Sequence, residues 1–219
     1  SGIDYYPGTG LGGAYKGHLF ITHFKGSPAR SGIQTYTVNP QGASFKIATS
    51  EPFIVAALPT DVTFGADGKL YFSDWHNGWP KSRRGRIYAV TDPADATNPL
   101  VQETKRLLYD GFKARPEAEL AMLLGHADQR VRTESQFELA RRAAPAPLAA
   151  VARSTSAMPL ARLHAVWGLG QIARKDRSAL AVLPALLRDS DAEVRAQAAK
   201  VLGDSREASA FDGLIAALK

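Results

Sequence analysis

The connection spanning residues 74–85, DWHNGWPKSRRG, gathers Trp75, His76, Asn77, Trp79, Lys81, Arg83 and Arg84 within one loop. Aromatic faces beside hydrogen-bonding groups suit a sugar ring or a quinone, and loops on rigid β scaffolds commonly carry binding residues. The same residues also suit a structural arrangement in which both indoles pack over the end of a sheet and the cations are solvated. Asp61 is the second candidate. A carboxylate at its strand position can coordinate Ca²⁺, orient a hydroxyl or accept a proton, or it can cap a turn by accepting nearby backbone N–H groups. Asp74 follows Ser73 at the end of the next strand, where an Asp serves either a site or the bracing of the adjoining loop. The catalytic candidates are thus Asp61 and His76. The cofactor-binding candidates are Asp61, Asp74, Trp75, Trp79 and Arg84, with Asp61 as the candidate calcium ligand.

Other chemistries are poorly served. The chain has no cysteine, which excludes thiol catalysis, disulfides, thiolate zinc sites and covalent haem within it. His18, His126 and His164 show no ligand spacing with one another or with nearby carboxylates, and His23 sits inside a strand pattern. The glycine-rich GTGLGG at residues 8–13 lacks a following Lys-Ser/Thr and a βαβ setting, so it reads as a wide turn rather than a phosphate loop. G-x-S-x-G, HExxH and kinase-type motifs are absent.

The net charge is +6, but residues 1–110 carry 11 basic and 9 acidic side chains and residues 111–219 carry 16 and 12. Neither half is basic enough to predict a phosphate-tracking groove, and nucleic acid is not an expected partner. No stretch reaches the roughly 18 uninterrupted apolar residues that span a bilayer. The N-terminus lacks the basic-then-apolar layout of a signal peptide, and composition leaves the compartment open.

These side chains need a scaffold, and the chain changes character near residue 93. Before it, β-branched and aromatic runs alternate with Gly, Pro, Asn and Asp: GIDYYPG, HLFITHF, IQTYTV, ASFKIAT, DVTFG, KLYFSDW and RIYAV. Seven strands are expected, with Gly68 supplying the tight turn of the hairpin GADG. They read as one complete four-stranded propeller blade and a second lacking its fourth strand, too few to close a ring, which needs at least about four blades. That reading makes the chain a piece of a larger propeller. The alternative is a small antiparallel sheet or sandwich, whose exposed edges would need a partner, a covering helix or a second copy.

After residue 93 the apolar positions recur every three or four residues, the helical period. The segment TDPADATNPLVQETK reads as a linker, with a first helix beginning near Val101. Three segments share one design: VRTESQFELA from Val131, ARLHAVWGLG from Ala161 and VRAQAAKVLG from Val194. Each places Arg second, a small residue (Ser135, Ala165, Ala198) on the packing face and a Leu (Leu139, Leu169, Leu202) one turn on. Each is followed by a second apolar stretch, PLAAVA, ALAVLPALL or FDGLIAAL, which predicts stacked helix pairs, an α-solenoid. SDAE at Ser190–Glu193 has capping-box spacing and marks a helix start. Arg132, Arg162 and Arg195 could contact phosphate, but their fixed place in the repeat points to a structural role.

The starts lie 30 and 33 residues apart, and the pattern resembles short bacterial HEAT repeats. Their Asp-x-x-Val-Arg signature is present as Asp128-Val131-Arg132 and Asp191-Val194-Arg195. In the middle repeat Met158 replaces the Asp and Pro159 occupies the turn, so the inter-repeat Asp/Arg ladder is expected to be interrupted there. Taken in order, YYPGTG, GHLFITHFKGSPARSGI, TDVTFGADGKLYFSDWHNGW, GRIYAV and LLGHADQRVRTESQFELARR resemble bacterial membrane-bound dehydrogenases, the PVC-type haem-binding CxxCH proteins. That resemblance implies a propeller similar to glucose/sorbosone dehydrogenases, completed by blades outside this chain. It also implies a quinone of the PQQ type or calcium as cofactor, a sugar or alcohol substrate and a periplasmic setting. CxxCH itself is missing, so haem chemistry does not carry over. The expected organisation is a partial propeller over 1–93, a linker and first helix over 94–110, and HEAT-like repeats over 111–219. A non-catalytic interaction module, with a protein partner on the concave face of the repeats, is the competing reading.

Overall fold

The computed structural model describes residues 2–42, 44–79 and 83–217. The chain divides into two compact units, Ser1–Tyr109 and Asp110–Lys219.

All seven expected strands form. β1 (Ile3–Tyr5), β2 (Leu19–His23), β3 (Gly32–Gln41) and β4 (Ser44–Val55) make one antiparallel sheet in sequential order, and β5 (Pro59–Phe64), β6 (Leu70–Asp74) and β7 (Arg86–Val90) make a second. Alternation in the sequence sets which side chains turn inward. In β2 Phe20 and Thr22 are buried, in β5 Val62 and Phe64, and in β6 Leu70, Phe72 and Asp74. Both sheets feed one core of Tyr6, Leu11, Phe20, Ile33, Val62, Phe64, Leu70 and Phe72. Its rings meet edge to face, the arrangement their quadrupoles favour, with Phe20 and Phe64 at 5.2 Å and 83° and Tyr6 and Phe64 at 5.5 Å and 68°.

The sheets are also joined through Asp4, whose carboxylate accepts the N–H of Phe64 at 2.8 Å. The glycine-rich segment is a turn, and it has a specific reason to be glycine. Gly10 (φ 113°) lies so close to Gly68 (φ 80°) that a Cβ on Gly10 would fall 1.9 Å from the Gly68 carbonyl oxygen. The linker is pinned back by Asp95, which accepts the Gly12 N–H at 2.6 Å. α1 then runs over Pro99–Asp110, starting two residues earlier than Val101, because Asn98 accepts the Leu100 N–H at 3.0 Å and Pro99 fits the first turn.

In the second unit, α2 (Glu117–Leu123) precedes three pairs: α3 (Gln129–Arg141) with α4 (Pro145–Arg153), α5 (Pro159–Ala173) with a 3₁₀ stretch (Arg177–Val182) leading into α6 (Leu183–Leu186), and α7 (Ala192–Asp204) with α8 (Phe211–Ala216). The register predicted for packing holds: Ser135, Ala165 and Ala198, and Leu139, Leu169 and Leu202, have no exposed surface. Small residues let α3, α5 and α7 lie side by side, and the leucines fill the space beneath.

Three expectations need correcting. The capping box at Ser190 does not form, because Asp191 is the N-cap and accepts the N–H groups of Glu193 and Val194. An Asp one residue nearer the helix captures the free amides first. The apolar run ALAVLPALL does not make one continuous α-helix, since Pro184 has no N–H to continue the ladder and the helix restarts as the single turn α6. The missing signature Asp of the middle repeat does not leave its Arg without a carboxylate. Arg162 reaches forward instead, with Nη1 on Asp189 Oδ1 at 3.0 Å and Nη2 on Oδ2.

Candidate functional site

Of the sequence candidates in the β unit, Trp75 and Trp79 border one recess, while Asp61 and Asp74 each hold a backbone amide. Asp61 is exposed in β5 and its Oδ1 accepts the N–H of its neighbour Val62 at 2.9 Å. Asp74 is buried at the end of β6, where Oδ1 accepts the Leu58 N–H at 2.8 Å and holds the segment entering β5. Among the described residues no group of three or more His, Asp or Glu side chains comes together that could hold a metal ion. Calcium takes six or more oxygen ligands, and Asp61 directs Oδ1 to its neighbour's amide.

The tryptophan loop is well defined where it is described. His76, Asn77 and Gly78 take φ of 60°, 62° and 90° in succession, and this left-handed turn lets the Gly78 carbonyl accept the Trp75 indole N–H at 2.8 Å. Phe24 packs edge-on to Trp79 at 5.3 Å and to Trp75 at 6.4 Å. Together with Thr60 these rings border a shallow recess of about 390 Å³, and Trp79 remains 73% exposed. His76 is half-buried, and Arg83 and Arg84 are exposed. Lys81 lies outside the described residues. Among the described residues the recess is lined by aromatic faces and one hydroxyl, with no base or carboxylate.

The helical unit carries a different kind of site. The repeated arginines are spent internally: Arg132 donates to the carbonyls of His126 and Ala127 at 2.7 and 2.8 Å, and Arg195 to those of Asp189 and Ser190 at 2.6 and 3.1 Å. Each fastens the turn that precedes its own helix. Arg162 donates Nε to the Ala152 carbonyl at 3.0 Å and pairs with Asp189, whose carboxyl its guanidinium holds below the usual range. His164 is buried between α3 and α5, with Nδ1 on Gln136 Oε1 at 2.7 Å and Nε2 accepting from Arg132 Nε at 3.3 Å. Burial, and then the Arg132 charge, push its pKa down to about 4, so the ring is neutral and carries its proton on Nδ1. Glu138 is held at about 2, chiefly by Arg141 and further by Arg142, against the opposing effect of burial.

With these polar groups consumed, what faces solvent is a groove of about 670 Å³ between α5 and α7. Trp167, Gly170 and Gln171 line it from α5, Arg174 from the residue that caps α5, and Gln197, Lys200, Val201 and Asp204 from α7. Trp167 is fixed by its indole N–H on Gln197 Oε1 at 2.8 Å. Gly170 permits the close approach of the two helices, since a Cβ there would lie 2.8 Å from Val201 Cγ1. Sequence reasoning passed over this groove. The available signal was the repeat position of Trp167, six residues after the start, which Phe137 and Lys200 occupy in the neighbouring repeats. Both of those are exposed.

No helix among the described residues is long and apolar enough to cross a membrane. Comparison with known proteins finds no match among curated proteins and none among solved structures. Residues 145–219, from α4 through the last repeat, match the family model for HEAT repeats.

Proposed function

We propose that this chain is a protein-interaction module whose HEAT-repeat helices supply the binding surface. The observation that carries it is the division of labour among the repeat's polar side chains. Arg132, Arg162, Arg195 and His164 are consumed in fastening the stack, while the α5/α7 groove stays open and polar. Helix-pair arrays present such surfaces because each pair contacts only its neighbours and leaves its outer faces free. The test is affinity capture with the full chain. A parallel variant carries charge reversals on exposed residues of every helix in the second unit. Reproducible enrichment of a protein that the variant loses supports the module. Failure to enrich any protein, or enrichment unaffected by the reversals, contradicts it.

A second reading concerns the β unit. Two sequential antiparallel meanders of four and three strands sharing one core are the packing expected of adjacent propeller blades. The outer strands leave Phe45, Ile47 and Ile87 at 67, 59 and 78% exposure, apolar surface that further blades would cover. That favours blade architecture, with the sugar- or alcohol-oxidising activity implied by the family resemblance following only at one remove. A dye-linked dehydrogenase assay of a protein containing this chain and the completing blades, with sugars and polyols as substrates, decides it. No turnover removes the enzymatic reading and leaves the module standing.

A further inference from the structure

Resting on the reading of the helical unit as a binding module, we propose that the α5/α7 groove takes an extended acidic protein segment. An apolar side chain of that segment lies against Trp167 and its carboxylates meet Arg174, Lys175 and Lys200.

Three observations lead there. First, the lining is unbalanced in charge: it contains Arg174, Lys175, Arg177 and Lys200 against Asp204 alone. Arg177 is committed to the Ser205 and Arg206 carbonyls and to Glu207, whereas Lys200 meets Asp204 in a pair exposed on both sides, worth little in water and open to exchange with an incoming carboxylate. Arg174 and Lys175 are exposed, and no ion pair among the described residues uses either. Second, Gln171 Oε1 is buried in the groove lining and has no hydrogen-bond partner among the described residues. A buried acceptor left unpaired costs about 1–3 kcal/mol, and because the Gln171 side chain as a whole is only half-buried, rotating it into the groove lets a backbone N–H of an extended segment satisfy the acceptor. Third, exposed Phe137 and half-buried Trp167 stand at the same repeat position on adjacent helices, followed by Lys200 on the next. Neighbouring helices lie about 8–10 Å apart and an extended chain advances about 3.3 Å per residue. A segment crossing the helices therefore places one anchor about every three residues, apolar first and acidic last.

The charge is too sparse for a nucleic-acid track, which needs a row of uncommitted cations. Two exposed cations beside an indole and an amide acceptor match a short peptide better.

The probe is a fluorescein-labelled peptide with Phe and Glu three residues apart in a Glu-rich background, titrated into the full chain by fluorescence anisotropy. Its counterparts carry Lys for Glu, and mixed-sequence single-stranded DNA of equal charge. We expect the acidic peptide to bind and the lysine peptide not to. Arg174→Glu with Lys175→Glu should weaken binding at least about tenfold. Trp167→Ala and Gln171→Leu should each weaken it about threefold or more, and the Gln171→Leu chain should melt no lower than the parent, so that its loss cannot be ascribed to unfolding. No binding of the acidic peptide, or binding unaffected by the two charge reversals, overturns the proposal. So does DNA that binds more tightly through the same residues. If the chain still captures a protein partner after Arg174→Glu and Lys175→Glu, the groove assignment falls while the module survives. If the chain captures nothing at all, the module falls on its own test.

Discussion

Phe20 in the β unit and Leu169 in the helical unit are both fully buried, yet their surroundings are built on different principles. Phe20 sits in a pile of rings drawn from distant strands, touching Phe53 at 5.0 Å and Phe64 at 5.2 Å. Every contact there is specific to that position. Leu169 repeats Leu139 and is itself repeated by Leu202, so its neighbourhood is one of three copies of a single solution. The polar groups differ likewise. The β unit disposes of its buried carboxylate Asp74 with one backbone amide, whereas the helical unit uses Arg, His, Gln and Asp to fasten one helix to the next. A register that settles packing automatically leaves outward-facing positions free to vary, and variation from Phe137 to Trp167 to Lys200 is where a binding face can be written. The strand unit has no such repeat, and its exposed apolar residues Phe45, Ile47 and Ile87 lie on β4 and β7.

The comparison can be tested first at its cores. Phe20→Ala should cost about 3–5 kcal/mol, since a large ring is removed from a packed interior, read as a lowered urea midpoint. A loss under about 1 kcal/mol would mean that the aromatic pile is loose and the contrast with the repeats unfounded. Next in size is the buried pair: Arg162→Met leaves the Asp189 carboxylate nearly buried without its cation and should cost on the order of 3 kcal/mol. Adding Asp189→Leu should recover most of that loss, and a double variant as unstable as the single one would show that the arginine acts only through its bond to the Ala152 carbonyl.

Acid should distinguish the units as well. In the folded chain His164 titrates at about 4, against 6.5 for the free group. Between those values the unfolded chain binds a proton that the folded chain refuses, so stability falls as pH drops from about 6.5 towards 4. The decrement is on the order of 2–3 kcal/mol. Urea midpoints across that range should lose most of this slope in His164→Gln, and an unchanged slope would remove His164 from the account.

Much of this was legible in the sequence, for reasons that particular residues make plain. All seven strands could be read because alternation and turn residues are local signals, and Gly68 does take the positive φ its turn requires. The helix start near residue 190 was visible because capping is local too, although the cap is Asp191 rather than Ser190. What escaped depended on partners far along the chain. Asp189 lies 27 residues from Arg162, and Gln136 lies 28 from His164, separations at which no spacing rule applies. The single residue Asp61 suggested chemistry because its type allows it, and only the fold could show its carboxylate turned to its own neighbour's amide.

The smallest expected effect concerns the turns that close the repeats. Ala143 and Arg206 occupy equivalent positions with φ of 51° and 49°. The N–H of each following residue reaches five residues back, Ala144 to the Leu139 carbonyl at 3.1 Å and Glu207 to that of Leu202 at 3.0 Å, the hydrogen bond of a Schellman turn. Glycine adopts that conformation without the side-chain penalty of about 1 kcal/mol, so Ala143→Gly should raise the thermal midpoint slightly. A fall would show that the side chain at this turn contributes packing that outweighs its strain.

The central claim is that recognition belongs to the repeated helices. Hydrogen–deuterium exchange of the full chain, alone and with a captured partner, addresses it directly, because binding slows exchange where a surface is covered. Protection concentrated in peptides from residues 159–177 and 192–205 is the predicted result. Protection confined to residues 3–90, with the helices exchanging as before, would contradict it.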